Sequence, residues 1–481
     1  MQATHYEVAS WFLSKSLAFS YFIAFLSLLP QVGGLFGRQG ILSIDHLLNV
    51  LDKEVGAERF LQMPSLFWFF SGDFTLRASC FLGMLASSLA FIGFSQSWMF
   101  LLCWVLYLSF VNCGQVFLSF QWDSLLLEFG FLGLFMAPWE FEWLPFGAHV
   151  FNPIILILCW LVLFKLMFCS GVVKLVNKDI TWKNLTALNF HFWTQPLPNP
   201  VAYFIHKAPQ WFHRLSTLLM FTIELVVPFF IFIPGVVQTA AATALILLQV
   251  LIILTGNFAF FNVVTIGLCL GLVPDMFWKI ELTHYVEPTT FSYPLSFAVF
   301  GALVPATYFW IYRTLFDKSK TLDFLLPYMR LLYPFRISNP YGLFAVMTKH
   351  RPELILEGSD DGIHWKEYQF RYKPCDPKKF PPIVAPHQPR LDWQLWFASL
   401  EGFGENLWLQ NLIARLFAES VEVQSLIAVD PFGGKSPNFL RLQKYEYTFS
   451  SFEELRKKGI WWKRLYIDQY SPTFAKEDFI P

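Results

Sequence analysis

Charge is scarce in this 481-residue chain. Asp, Glu, Lys and Arg supply 15% of its residues, against roughly 25% in soluble domains, too few to cover an ordinary water-soluble fold. The 35 basic and 35 acidic residues cancel, which excludes the positive field that a nucleic-acid partner requires. Cysteine is sparse too. Cys80, Cys103, Cys113, Cys159, Cys169 and Cys269 sit inside apolar runs, and only Cys375 lies in a polar region. No CxxC, zinc spacing or disulfide framework is present, so neither metal nor cofactor is called for, and these thiols read as small buried hydrophobes. The N-terminal run "WFLSKSLAFSYFIAFLSLLP" contains Lys15, follows Glu7 and lacks a small-residue cleavage site. It is expected to be retained as a first helix.

What the chain has instead is apolar length: 55% of its residues are hydrophobic and 19% aromatic, the composition of a membrane protein. Runs of about 17 to 25 apolar residues, enough to cross a hydrocarbon core as helices, recur near 11–30, 76–94, 97–118, 151–170, 213–233, 236–255, 257–273 and 291–312. About eight spans are therefore expected in a helical bundle over residues 1–335. A further apolar stretch at 120–135 contains two acids and reads as re-entrant or tucked inside the bundle.

Beyond "PYMRLLYPFRISNP" the long apolar runs stop. Residues 336–481 hold 19 of the 35 basic and 18 of the 35 acidic residues, and are long enough to bury a core of their own. "YGLFAVM", "PELILEGS", "WKEYQFRY", "FLRLQKYEYTFS" and "WWKRLYIDQY" predict strands, with "SDDG" as a turn. "LDWQLWFASLEGFGENLWLQNLIARLFAES" has helical spacing. The expected fold is thus a polytopic α-helical membrane bundle followed by a soluble, mostly-β, sandwich-like domain with inserted helices.

Positive charge orients this chain poorly. Residues 171–214 carry Lys174, Lys178, Lys183, Lys207 and Arg214, and 119–150 carry no Lys or Arg, which places the former in the cytoplasm. Yet 31–75, on the opposite side by an eight-span count, carries Arg38, Lys53 and Arg59.

Polar groups at membrane depth cost about 2.5 to 3.5 kcal/mol each and are functional candidates by default. In "FQWDSLLLEFG", 100° per residue puts Gln121, Ser124 and Glu128 on one face and Asp123 well away from it. That face either lines a cavity or clamps neighbouring helices. His213, Thr217 and Glu224 share a face by the same arithmetic, read as an ion pair rather than an acid/base pair. Lys165 reads as snorkelling toward headgroups. The loop "SGVVKLVNKDITWKNLTALNFHFWTQPLPNP" (170–200) contains Lys174, His191, Thr194 and Gln195, and Asn184 begins an N-L-T sequon, used only in a secretory lumen. Composition alone makes it an interfacial segment with aromatic anchors.

"FQWDSLLLEFGFL", "KLMFCSGVVKL", "TWKNLTALNFHFWTQPLPNPVAYF", "NPYGLFAVMTKHRPELILEGSDDGIHWKEYQFRYKP" and "PPIVAPHQPRLDWQLWFASL" together resemble the lipase maturation factor family. The resemblance implies a multi-pass membrane protein that assists folding and assembly of secreted lipases in the endoplasmic reticulum as a chaperone, without catalysis of its own. The bacterial inner membrane is implied instead if the host is prokaryotic. Its partners would be membrane lipids and a client lipase or similar secreted protein. It also implies importance for the matched Gln121, Asp123, Glu128, Lys174, His191, Thr194 and Gln195, and for His387, Gln388, Arg390, Asp392 and Trp393 as client-binding or structural groups. A single soluble-domain cysteine argues against disulfide exchange. The alternative is a membrane-embedded enzyme acting on a lipid-soluble substrate through a cavity built from Gln121, Glu128, Lys174, His191 and Gln195.

Overall fold

The computed structural model describes residues 5–137, 139–143, 148–149, 151–278, 280, 282, 284–285, 292–316 and 319–479. Nine helices make up the bundle among these residues: α1 Glu7–Leu28, α2 Asp73–Ile92, α3 Gln96–Cys113, α4 Gln121–Gly133, α5 Pro153–Val176, α6 Gln210–Leu225, α7 Val236–Thr255, α8 Phe261–Leu270 and α9 Ser292–Leu315. A 3-10 turn, Val227–Phe232, extends α6. Seven of the nine are long and apolar enough to cross a membrane. The eighth span expected at 257–273 is the ten-residue α8, and the stretch at 120–135 is the thirteen-residue α4.

Both short helices nevertheless run the length of the bundle. α4 starts where Phe120 packs on Trp393, and the chain after it reaches Ala137, whose carbonyl accepts from Ser97 at the start of α3. α8 follows Asn257, which donates to the Pro382 carbonyl, and leads to Asp275, whose carboxylate accepts from the backbone of Glu7 and Val8. They can be short because protein surrounds them: Leu125, Leu126, Leu127 and Phe129 of α4 and Val264 and Leu268 of α8 are fully buried. Glycine lets α1 lie against α4, since a Cβ at Gly130 or Gly133 would run into Tyr21 or Leu17. With nine passes the start of α1 and the C-terminal region sit at opposite ends of the bundle.

The C-terminal region is a five-stranded antiparallel sheet with helices packed on it. Its strands are β1 Pro352–Ser359, β2 Lys366–Glu367, β5 Phe439–Phe449, β6 Trp462–Gln469 and β7 Phe474–Ala475, ordered β2-β1-β5-β6 with β7 also on β5. β3 Gln369–Phe370 pairs separately with β4 Ile427–Val429. All eight residues of β1 are buried, as a central strand requires. Helix α10, Arg390–Leu400, packs on β1, and α11 spans Leu407–Phe417. The "SDDG" turn forms as expected: Asp361 Oδ1 accepts from the backbone of Ile363 and His364 at 2.8 Å, and Gly362 takes φ +73°.

The strand expected at "YGLFAVM" does not form. Its backbone is held by side chains rather than by a neighbouring strand: Gly342 N donates to Gln121 Oε1 (3.1 Å), the Phe344 carbonyl accepts from Trp182 Nε1 (2.9 Å), and Met347 N donates to Asp179 Oδ2 (2.6 Å). Alternating composition predicts a strand only where a ladder partner exists.

Candidate functional site

The polar residues singled out in the sequence gather where the C-terminal region meets the bundle end, in four buried clusters and one cavity. In the first, Arg390 at the start of α10 reaches α4. Its Nη2 lies 2.8 Å from Asp123 Oδ1 and its Nη1 3.0 Å from Asp123 Oδ2, a bidentate pair. The Tyr107 hydroxyl from α3 donates to the same carboxylate at 2.5 Å, and Arg390 Nη1 also donates to the Phe117 carbonyl at 2.6 Å. Asp123 and Arg390 are 0% and 1% exposed, so this pair crosses a dry interface.

Glu128 anchors the second cluster. It accepts from Lys165 Nζ of α5 at 2.5 Å, from Asn339 N and Nδ2 at 3.1 and 3.2 Å, and from the Tyr341 hydroxyl at 2.7 Å. Lys165 therefore does not snorkel. It is 0% exposed, because a buried carboxylate with three other donors offers its ammonium more than a headgroup would. In the third cluster Lys174 Nζ lies 2.6 and 2.9 Å from the two Glu224 oxygens, donates to the Ser170 carbonyl, and sits over the Trp182 ring. Glu224 thus pairs with Lys174 rather than with His213, which shares its helix face but lies three turns away and buried.

The fourth cluster ties the 170–200 loop to the sheet. Arg351 donates to the carbonyls of Trp193 (3.0 Å), Gln195 and Pro196 (2.9 Å), and pairs with Glu353 at 2.7 Å, which Lys373 also meets at 3.0 Å. Within the loop, Thr194 donates to the Phe190 carbonyl, and Gln195 Nε2 donates to the carbonyls of Phe192 and Thr255. His191 lies between the rings of Phe258 and Phe344, and burial, aided by the nearby Lys174 charge, lowers its pKa to about 4. Asn184 is exposed at the end of the short helix Ile180–Lys183.

The "APHQPRLDW" corner is a plug in the end of the bundle. Ser27 of α1 lies 2.9 Å from His387 Nδ1 and accepts from Gln388 N, while Gln31 bonds both the Gln388 carbonyl and Arg390 N. Burial, then the Arg390 charge, lowers the His387 pKa to about 4. Asp392 turns the other way, accepting from Tyr372 N and Lys373 N at 2.9 and 2.8 Å. Trp393 packs edge-on against Trp122 with ring centroids 5.0 Å apart.

Beside these clusters lies a cavity of about 800 Å³. Gln121 and Lys174 line it; Glu128, His191 and Gln195, expected on the same cavity, do not. Sequence reasoning missed Arg351, Glu353 and Tyr341. The available signal was stoichiometric: each charge in an apolar run needs a partner, and Glu128 and Glu224 match Lys165 and Lys174.

Cys375 is buried, its sulfur accepting from Phe370 N at 3.5 Å, and burial raises its pKa. No group of three or more His, Cys, Asp or Glu able to hold a metal occurs among the described residues.

Comparison with known proteins gives a consistent result along the whole chain. Residues 8–280 match the model of the lipase maturation factor transmembrane domain, and residues 337–472 that of the lipase maturation factor C-terminal domain. Lipase maturation factor 1 of Bos taurus is 33% identical over 97% of this chain and 89% of its own length. Lipase maturation factor 2 of Homo sapiens is 34% identical over 96% and 82%, and lipase maturation factor 1 of Homo sapiens 32% over 98% and 88%. No solved structure matches the chain.

Proposed function

The chain belongs to the lipase maturation factor family, and from that premise we propose that it is a membrane-anchored, non-catalytic maturation factor for a secreted lipase or similar client, acting as a chaperone in the endoplasmic reticulum membrane or its bacterial equivalent. The observation that carries the proposal is how the polar residues are used. Asp123, Glu128, Lys174 and Arg390 are each committed to buried partners: the Asp123–Arg390 pair and the Glu128 bonds to Asn339 and Tyr341 join the C-terminal region to the bundle, and Lys174–Glu224 ties α5 to α6 within it. Groups engaged in this way, buried and paired with protein partners, hold neighbouring elements in place rather than face a substrate.

The surface that suits a partly folded client is β6. It ends the sheet, and Leu465, Tyr466 and Ile467 on it are 73, 53 and 45% exposed. An edge strand with apolar side chains is a template for strand addition, which suits a client whose own strands are incompletely paired.

The test is co-expression with a secreted lipase, reading active enzyme in the medium. The Leu465→Glu, Ile467→Glu double variant is expected to reduce secreted activity to the level without the factor while its own abundance and unfolding midpoint stay unchanged. Full secretion by that variant refutes the role of β6. The function itself requires the C-terminal region to face away from the cytoplasm. Cysteine labelling in sealed vesicles at an introduced surface site such as Lys458→Cys decides that, and a cytoplasmic result overturns the proposal.

A further inference from the structure

The cavity has features that the maturation role does not use. Its volume of about 800 Å³ falls within the roughly 300 to 1,000 Å³ of small-molecule sites. Its walls are apolar and aromatic, including Phe120, Trp122, Phe258, Phe261, Trp393 and Phe397, drawn from the bundle and from α10. Polar groups occur on two sides. On the bundle side are Ser119, Gln121, Ser170, the Lys174–Glu224 pair and Gln249; on the side of the C-terminal region are Thr348, Gln394, Glu401, Glu405 and Asn406.

Charge narrows the occupant. Lys174 is neutralised by Glu224 at 2.6 Å and offers no free cation, and the side nearer water carries two carboxylates. An anionic head is disfavoured at both places. Donors remain available: Gln249 spends its carbonyl oxygen accepting from Asn262 Nδ2 at 2.8 Å, while its amide nitrogen has only the weakly accepting Met167 Sδ at 3.8 Å among the described residues, and the indole N–H groups of Trp122, Trp393 and Trp396 on the same walls are buried with no partner among them. A buried N–H of this kind seeks a carbonyl or hydroxyl oxygen.

We propose that this cavity binds a single uncharged lipid, its apolar chain against the aromatic walls and a neutral oxygen-bearing head accepting from Gln249. The proposal is independent of the client-binding reading, because it concerns a ligand held between bundle and α10 and not the β6 surface.

The probe is monoolein, which has one C18 chain and an uncharged head; its form brominated on the acyl chain quenches nearby tryptophans, and Trp122, Trp393 and Trp396 line the cavity. The full chain in detergent is expected to show saturable quenching, reversed by unlabelled monoolein and not by equimolar oleate or phosphatidylglycerol. In Ile252→Trp, which puts an indole into the cavity one turn from Gln249, the saturable component is expected to fall at least tenfold with the unfolding midpoint preserved. Non-saturable quenching, or displacement by oleate or phosphatidylglycerol as effective as by monoolein, overturns the proposal; so does undiminished saturable quenching in that variant. The competition arm uses only the unaltered protein, so the test stands even where the variant does not fold.

Discussion

Replacing Arg390 by Met removes the guanidinium that joins α10 to α4 and leaves the Asp123 carboxylate, fully buried, with the Tyr107 hydroxyl as its remaining hydrogen-bond donor. The Phe117 carbonyl also loses its 2.6 Å donor. Breaking a buried pair from one side costs about 3 to 5 kcal/mol, because the surviving charge is stranded without water. Asp123→Leu strands the guanidinium instead, at similar cost. The double variant Asp123→Leu, Arg390→Met strands neither charge and fills similar volume, so it is expected within about 1 to 2 kcal/mol of the unaltered protein, the residue reflecting the orphaned Tyr107 hydroxyl and Phe117 carbonyl. The coupling energy is therefore about 4 kcal/mol or more. Denaturant unfolding of the four proteins in one detergent, followed by tryptophan fluorescence, measures it. Single variants within 1 kcal/mol of the parent, or a double variant equal to the sum of the singles, would refute the claim that this pair holds the two regions together.

The second cluster predicts an asymmetry. Lys165→Met leaves Glu128 three donors, from Asn339 N and Nδ2 and the Tyr341 hydroxyl, whereas Glu128→Gln leaves an uncompensated ammonium, so the glutamate variant should be the less stable by about 1 kcal/mol or more in the same unfolding assay; the reverse order contradicts the geometry. His387 has its pKa lowered to about 4 in the fold against about 6.5 unfolded. The unfolded chain thus binds the extra proton between these values, and stability present above pH 6.5 is lost as pH falls toward 4. His387→Gln should flatten that slope in unfolding midpoints taken from pH 7 to 4.5, and an unchanged slope counts against the burial. Cys375→Ala removes only a weak 3.5 Å acceptor, and client secretion should persist; its loss at normal protein level would revive thiol chemistry.

The helical bundle was legible because apolar length is a local property, and the strands at 352–359, 439–449 and 462–469 because alternation and β-branched or aromatic content agree there. Placement of polar residues was legible one helix at a time. The 100° rule correctly separated Asp123 from the Gln121 and Glu128 face, and in the structure the former meets Arg390 while the latter two meet Gly342 and Asn339. What a single helix does not encode is its neighbour: Lys165 and Glu128 are 37 residues apart, Arg390 and Asp123 267 apart. The error at "YGLFAVM" has the same origin, since whether an extended backbone finds a strand or a set of side chains is decided by elements more than 150 residues away.

The nine passes also remove the conflict in the charge pattern. The segments 29–72 and 177–209, with Arg38, Lys53, Arg59, Lys178, Lys183 and Lys207, join helices at the end that carries the C-terminal region, and the sequences joining α2 to α3, α4 to α5, α6 to α7 and α8 to α9 hold one basic residue, Lys279. All the basic loops thus fall on the side that carries the C-terminal region, and the eight-span count opposed them only because it omitted α4; positive charge alone makes that side cytoplasmic, the reverse of what the proposed function requires, and the vesicle labelling at Lys458→Cys decides between the two. That same side carries α10, which supplies Arg390 to the bundle and Trp393 and Phe397 to the cavity wall. A lipid in the cavity would therefore bear on the helix that fixes how the sheet, and with it β6, is presented to a client.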